Sequence, residues 1–153
     1  MARRLAMLFA LVSLSLVIVS SSHGDDPAPA EDESLVAGLW KVTFETSQGT
    51  IHHVKEHANG KTTVSVYDAE GGLIAQKQSR YELSRSGEAR VFTYFDNVAT
   101  AGPGIGQRDP RRRSYLYRVH DDRFYEIHGM MLDDEGPVVV RVWKRMDEST
   151  SAP

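Results

Sequence analysis

The fold class of this chain is decided by the stretch Gly38-Leu39-Trp40-Lys41-Val42-Thr43-Phe44-Glu45. Its apolar residues, Trp40, Val42 and Phe44, alternate with polar ones, which is the period-two pattern of a β-strand with one buried face. Short runs of the same kind follow along the chain, and turn residues separate them. The sequence therefore predicts an all-β protein with no helix between its strands.

Eight strand-like runs can be recognised when the chain is followed outward from this stretch. Asn59-Gly60 is the strongest hairpin signal, because both residues tolerate the positive φ of a type I′ turn. Asp121-Asp122 is a second two-residue turn. Residues 73–84 contain helix formers but no helical stripe, so we predict a strand there too. The predicted strands are Val36–Thr46, Thr50–His57, Lys61–Asp68, Leu73–Ser84, Ala89–Val98, Ser114–His120, Arg123–Leu132 and Val138–Met146.

These runs predict an eight-stranded antiparallel up-and-down barrel over residues 35–146, because hairpin-length turns join nearly all of them. Closure of such a barrel removes exposed strand edges and leaves a lumen for side chains or one small ligand. An open β-sandwich is the alternative architecture. The polar residues 147–153 are predicted to be a disordered tail.

The N-terminus has the layout of a secretory signal peptide. Arg3 and Arg4 precede the apolar run Leu5–Val19, which is short for a transmembrane helix, and small residues follow it. We predict a signal peptide over residues 1–24, with a retained membrane anchor as the alternative. The acidic, proline-containing residues 25–34 predict a disordered or extended leader.

Composition limits where this protein works and what it binds. The absence of cysteine excludes a disulfide framework and a lipobox-type lipid anchor, so we predict a secreted or periplasmic protein without stable membrane insertion. Removing residues 1–24 lowers the formal net charge from −3 to about −5, since two arginines are lost. A mildly acidic domain of this kind favours neither nucleic acid nor an anionic membrane as its partner.

The triplet Gly38-Leu39-Trp40 resembles the G-x-W signature of the lipocalin and calycin superfamily, and in particular the short lipocalin-like domains of exported bacterial proteins. Arg141 or Arg145 on the last strand would stand where that family places a basic residue that packs over the tryptophan. The chain lacks the T-D-Y-type motif, the cysteine pair and the C-terminal helix of the classical members. The resemblance implies a ligand-binding barrel and does not identify the ligand.

We therefore predict a non-enzymatic protein that binds a small apolar or amphipathic molecule and needs no cofactor. Glu126 and His128 would be polar groups in the lumen if the face that they share with Phe124 points inward. In the opposite register they would face solvent, and the sequence leaves both open. No catalytic and no metal-binding residue is predicted. The candidate ligand-binding residues are Trp40, Val42, Phe44, Phe124, Glu126, His128 and Arg141.

Residues 99–112 predict a long loop, because they include three glycines and two prolines. Such a loop would act as a lid over one mouth of the barrel. In a second hypothesis it inserts into a protein partner, as in a secreted interaction or inhibitor module. Arg111, Arg112 and Arg113 would either bind an anionic group at that mouth or form a solvated charge cluster.

A third hypothesis is a metal or haem protein, or an enzyme, that uses histidine. His53 and His57 share one face of a strand but lie some 13 Å apart, at roughly 3.3 Å per residue, which is too far for one metal ion. His53 could still meet His120 or His128 from other strands. No metal-binding spacing such as H-E-x-x-H is present, so polar residues on a wetted strand are the simpler interpretation.

Overall fold

The computed structural model describes residues 26–47, 49–131, 134 and 136–147. The predicted signal peptide and residues 148–153 of the predicted tail lie outside the described residues. The elements are β1 (Asp26–Pro27), α1 (Ala30–Val36), β2 (Gly38–Thr46), β3 (Gly49–Ala58), β4 (Lys61–Tyr67), β5 (Leu73–Ser86), β6 (Ala89–Ala101), β7 (Arg108–Asp109), β8 (Arg113–His120), β9 (Arg123–His128) and β10 (Val139–Arg145).

Eight of the strands form a closed antiparallel barrel, in which each strand pairs with its neighbour along the chain. The last strand, β10, returns to β2 through the register pairs Lys144↔Lys41 and Arg145↔Trp40. The two-residue strands β1 and β7 pair with β5 and β6. The predicted all-β class and the up-and-down barrel are confirmed, and the sandwich alternative is excluded.

The local turn chemistry agrees with the sequence. Asn59 and Gly60 have φ values of 52° and 70°, and Asp121 and Asp122 have 47° and 55°, as a type I′ hairpin requires. Residues 73–84 are a strand, as predicted, within the longer β5. Because these features depend on neighbouring residues alone, the sequence contains what is needed to predict them.

The prediction of a disordered or extended leader is wrong for residues 30–34, because the structure places them in α1. Asp32 is fully buried, and its carboxylate accepts hydrogen bonds from the Arg85 guanidinium at 3.0 and 3.1 Å. The Arg90 guanidinium lies 3.1 Å from the same carboxylate. Two distant arginines thus compensate the burial of an acidic side chain that the local sequence presents as solvated.

The predicted loop over residues 99–112 is shorter in the structure. Strand β6 continues to Ala101, and β7 takes up Arg108 and Asp109. Gly102 ends β6 with a φ of 78°, and a Cβ atom there would lie 2.2 Å from the carbonyl oxygen of Ile74. The glycine is therefore needed for a close approach to β5, which the sequence analysis interpreted as part of an open loop.

Helix α1 lies across one end of the barrel, which we call the capped end. Val36 and Trp40 are fully buried there, and the Trp40 Nε1–H donates a hydrogen bond of 2.8 Å to the Val36 carbonyl. The Arg145 guanidinium lies 4.0 Å above the Trp40 ring and donates to the carbonyls of Leu35 and Ala37. Arg145, and not Arg141, is therefore the basic residue over the tryptophan.

An aromatic cluster fills the barrel next to the capped end. Phe92 is at its centre, stacked between Tyr81 and Tyr115 with ring centroids 4.9 and 5.0 Å away. Phe124 packs on Trp40 at 5.5 Å. The cluster fills the part of the barrel next to α1, and Phe92 and Tyr115 also border the space beyond it.

Candidate functional site: a polar cavity in the barrel

The half of the barrel away from α1 encloses a cavity of about 330 Å³. This volume is at the lower end of the range found for small-molecule sites, roughly 300–1,000 Å³. The buried residues of the lining are Lys55, Thr62, Phe92, Tyr115, Glu126 and Trp143. The side chains that reach solvent at its mouth include Lys77, Arg113 and Arg141.

The pleat of β9 decides which predicted residues face this cavity. Phe124 and Glu126 are 0% and 1% exposed, and His128 follows on the same face and lines the cavity. The register that the sequence left open is therefore the one with Glu126 and His128 inside. Met130, which the pattern put on the same face, lies beyond the end of β9 and is exposed.

A buried ion pair crosses the bottom of the cavity. The Lys55 ammonium on β3 donates a hydrogen bond to the Glu126 carboxylate on β9, and the two side chains are 8% and 1% exposed. The ammonium also lies 4.3 Å from the centroid of the Trp143 ring, a cation–π geometry. Each charge is thus compensated, although such a pair adds little net stability over apolar residues of the same size.

The ion pair favours the charged form of both members, so it lowers the pKa of Glu126 and opposes the lowering of the Lys55 pKa by burial. Burial alone would raise the pKa of Glu126, but the Lys55 charge and the hydrogen bonds from His128 and Lys55 outweigh it and hold that pKa below its usual value. Burial lowers the pKa of Lys55, and the Glu126 carboxylate only partly offsets this. The two groups form one coupled ion pair, so neither is a free acid or base.

Two histidines extend the polar lining toward the mouth. The His128 Nε2 lies 3.4 Å from the Glu126 carboxylate, and its ring packs on Tyr115 at 4.7 Å. Burial, followed by the charges of Arg141 and Lys55, lowers the pKa of His53. Among the residues that the structure describes, no group of three or more histidine, aspartate or glutamate side chains could hold a metal ion.

The third histidine of β3 belongs to the aromatic cluster. His57 is 1% exposed, and its Nδ1 is 2.7 Å from the Thr62 hydroxyl. Its Nε2 is buried without a hydrogen-bond partner among the described residues. Burial lowers the pKa of His57 well below its usual value, so the ring is neutral. His120, in turn, is exposed beside Asp121 and does not approach His53.

The mouth is cationic. Arg113 donates a hydrogen bond of 2.8 Å to Asp109, and Arg111 pairs with the same carboxylate. These hydrogen bonds and charges lower the pKa of Asp109 to about 2. The Arg112 guanidinium instead donates a hydrogen bond to Glu82 and packs over the Phe95 ring. Of the three arginines in this run, only Arg113 is part of the cavity lining.

The predicted ligand residues are divided between two regions. Glu126, His128 and Arg141 line the cavity. The lining, as far as the described residues show it, does not include the other four. Trp40 and Phe124 lie in the aromatic cluster, and Val42 packs against it. Phe44 is half-buried against the His53 ring, with centroids 5.0 Å apart.

Lys55 is the residue that the sequence analysis missed. It shares a face with His53 and His57, and this alternation was visible in the sequence. A strand with three polar residues on one face is normally interpreted as solvent-exposed on that face. The face is buried here because its charge meets Glu126, a residue 71 positions away along the chain.

Comparisons with family models, curated proteins and solved structures found no match for this chain. Across the described ranges of the chain, no helix has the length and apolar character needed to cross a membrane. The chemistry of the cavity must therefore be inferred from its own residues.

Proposed function

We propose that this chain is an exported, lipocalin-like binding protein that takes one small amphipathic molecule into its barrel. The observation that carries the proposal is the cavity of about 330 Å³ inside a closed barrel. Its lining combines apolar side chains such as Val64, Val66 and Ala75 with a few polar groups, the composition expected of a ligand pocket. The proposal assigns no catalytic step to the residues of the cavity.

The lipocalin-like character is supported by the capped end. Arg145 covers the Trp40 ring, which is the arrangement that the resemblance to the G-x-W signature implies. The proposed export rests on the sequence of residues 1–24 and on the absence of cysteine. The inhibitor hypothesis loses support, because strands β6 and β7 take up five of the fourteen residues of the predicted loop.

A pair of matched substitutions tests the proposal. Ala75 lines the cavity, whereas Ala69 is exposed in the turn before β5. We expect the neutral fluorescent probe N-phenylnaphthylamine to bind the wild-type protein at a ratio of one to one. Ala75→Phe should abolish this binding by filling the cavity, and Ala69→Phe should leave it unchanged. Equal binding to all three proteins would place the probe on the surface and contradict the proposal.

Native mass spectrometry then addresses the natural ligand. Protein purified from its own source without denaturation is expected to carry a stoichiometric extra mass that organic extraction removes. The Ala75→Phe variant, expressed in the same source, should appear as the bare chain. An extra mass that persists in this variant would place the bound molecule outside the cavity.

A further inference from the structure

The cavity has the opposite charge balance to the rest of the chain. Its described lining contains four lysine or arginine residues and a single acidic one, Glu126, although the whole chain has a formal net charge of −3. A cleft of one sign with low-dielectric walls concentrates its field and attracts ligands of the opposite sign. The four cationic residues are Lys55, Lys77, Arg113 and Arg141.

Glu126 does not neutralise the mouth, since it is already engaged. Its carboxylate accepts the hydrogen bond of Lys55 and lies 3.4 Å from His128. Arg141 is the register partner of Glu126 on the adjacent strand, but no ion pair joins them. The only acid of the lining therefore balances the buried lysine, and the outer cations keep their charge.

Within the described part of the chain, the side chains of Arg141 and Lys77 form no hydrogen bond and no ion pair. Arg141 instead lies near like charges, since its guanidinium lowers the pKa of both His53 and Lys55. Both side chains reach solvent at the mouth and are therefore available to an anion that binds there.

The neighbouring surface continues this pattern. A second depression next to the cavity shares Lys77 and Arg113 with it and adds Arg108 and Arg111. The acid of this depression, Asp109, is already engaged with Arg111 and Arg113. An approaching anion therefore meets cations on both sides of the mouth.

We propose that the cavity binds an amphipathic anion, with its acidic group on Arg141 at the cationic mouth and its apolar part against the rings below. The inference rests on the proposed function and narrows it to one class of ligand. A planar guanidinium binds a carboxylate through two parallel hydrogen bonds, and an ammonium adds a second charge. Below them, Tyr115 and Trp143 offer apolar surface for a short chain.

Three eight-carbon probes of equal length and different charge test this assignment: octanoate, octanol and octylammonium. Each is measured by displacement of N-phenylnaphthylamine from the wild-type protein, Arg141→Gln and Arg123→Gln. Arg123 is an exposed arginine of β9 that lines none of the cavities described above, so its loss is a control for net charge. We expect octanoate to bind the wild-type protein about tenfold more tightly than octanol, and octylammonium to bind most weakly.

Arg141→Gln should weaken octanoate about tenfold and leave octanol unchanged, and Arg123→Gln should change neither. Added salt should weaken octanoate alone, because charge attraction at an exposed mouth is screened. Equal affinity for octanoate and octanol, or an equal loss of both in Arg141→Gln, would overturn the assignment while leaving a ligand-binding cavity in place. Failure of N-phenylnaphthylamine itself to bind the wild-type protein would instead overturn the proposed function and this assignment with it.

Discussion

The two halves of the barrel use buried side chains in different ways. In the capped half, Trp40 packs between Phe124 and Arg145, and its Nε1–H is satisfied by a backbone carbonyl. In the cavity half, Trp143 packs beside the buried Lys55 ammonium, and polar residues form much of the cavity lining. The comparison shows that one closed sheet provides both a core that stabilises the fold and a cavity with exposed cations at its mouth.

The largest effect is expected from breaking the capped half. Trp40→Ala removes a fully buried ring, its contact with Arg145 and its hydrogen bond to Val36. We expect it to lower the free energy of unfolding by about 5 kcal/mol, the upper end for truncation of a large aromatic residue. Urea denaturation gives this value, and Val140→Ala on the exposed face of β10 should change it by less than about 0.5 kcal/mol. Similar losses in both variants would contradict the place of Trp40 in the buried core.

A smaller loss of stability is expected from breaking the Lys55–Glu126 ion pair at the border between the halves. Glu126→Gln leaves the buried Lys55 ammonium without its counter-charge, which should cost about 3 kcal/mol. The cost is at the lower end for a broken buried pair, because Lys55 can release its proton. The double variant Lys55→Met/Glu126→Leu should recover most of the loss, since apolar side chains of similar size fill the space.

Urea denaturation of Glu126→Gln and of the double variant measures both effects. A double variant that is no more stable than Glu126→Gln would contradict the account of a compensated pair. Glu82→Gln is the matched control, because its ion pair with Arg112 is exposed. Its loss should have almost no effect on stability.

The smallest effect depends on pH. In the unfolded chain, His57 takes up a proton near pH 6.5, whereas burial lowers its pKa well below that value in the folded protein. The unfolded state therefore binds more protons as the pH falls, and folding loses about 1 kcal/mol between pH 7 and pH 5.5. The Lys55 charge disfavours protonation of His57 and the Glu126 charge favours it, with burial as the largest cause.

The variant His57→Asn keeps a polar atom for Thr62 and removes the titrating ring. Its free energy of unfolding, measured by urea denaturation across this pH range, should depend less on pH than that of the wild-type protein. His120→Gln removes an exposed histidine and should leave the pH dependence unchanged. If the free energy of unfolding of His57→Asn depends on pH as strongly as that of the wild-type protein, groups other than His57 cause the dependence.

Structure that depends on neighbouring residues could be predicted from the sequence. The alternation in Gly38–Glu45 and the turns at Asn59-Gly60 and Asp121-Asp122 fix strands and hairpins locally, so the barrel follows from them. Burial of a charge that is compensated from far along the chain could not be predicted. Asp32 is buried because Arg85 and Arg90 reach it, and no pattern near Asp32 indicates this.

The candidate site shows the same limit. Alternation placed Glu126 and His128 on one face, but only the folded barrel shows that this face is inside. Arg141 was selected for a contact that Arg145 makes, and its place at the mouth came from the register of β10 with β9. Lys55 was overlooked because its partner is distant in the chain.

The two tryptophans of the chain provide the most direct test of the central claim, because Trp143 lines the cavity and Trp40 does not. In a ¹H–¹⁵N spectrum each indole N–H gives one signal, and the variant Trp143→Phe assigns them. On titration with octanoate, we expect the Trp143 signal to shift, because its ring lines the cavity. The Trp40 signal should stay in place, because its N–H is held by Val36 in the capped half. A shift of Trp40 with an unmoved Trp143 would contradict the account.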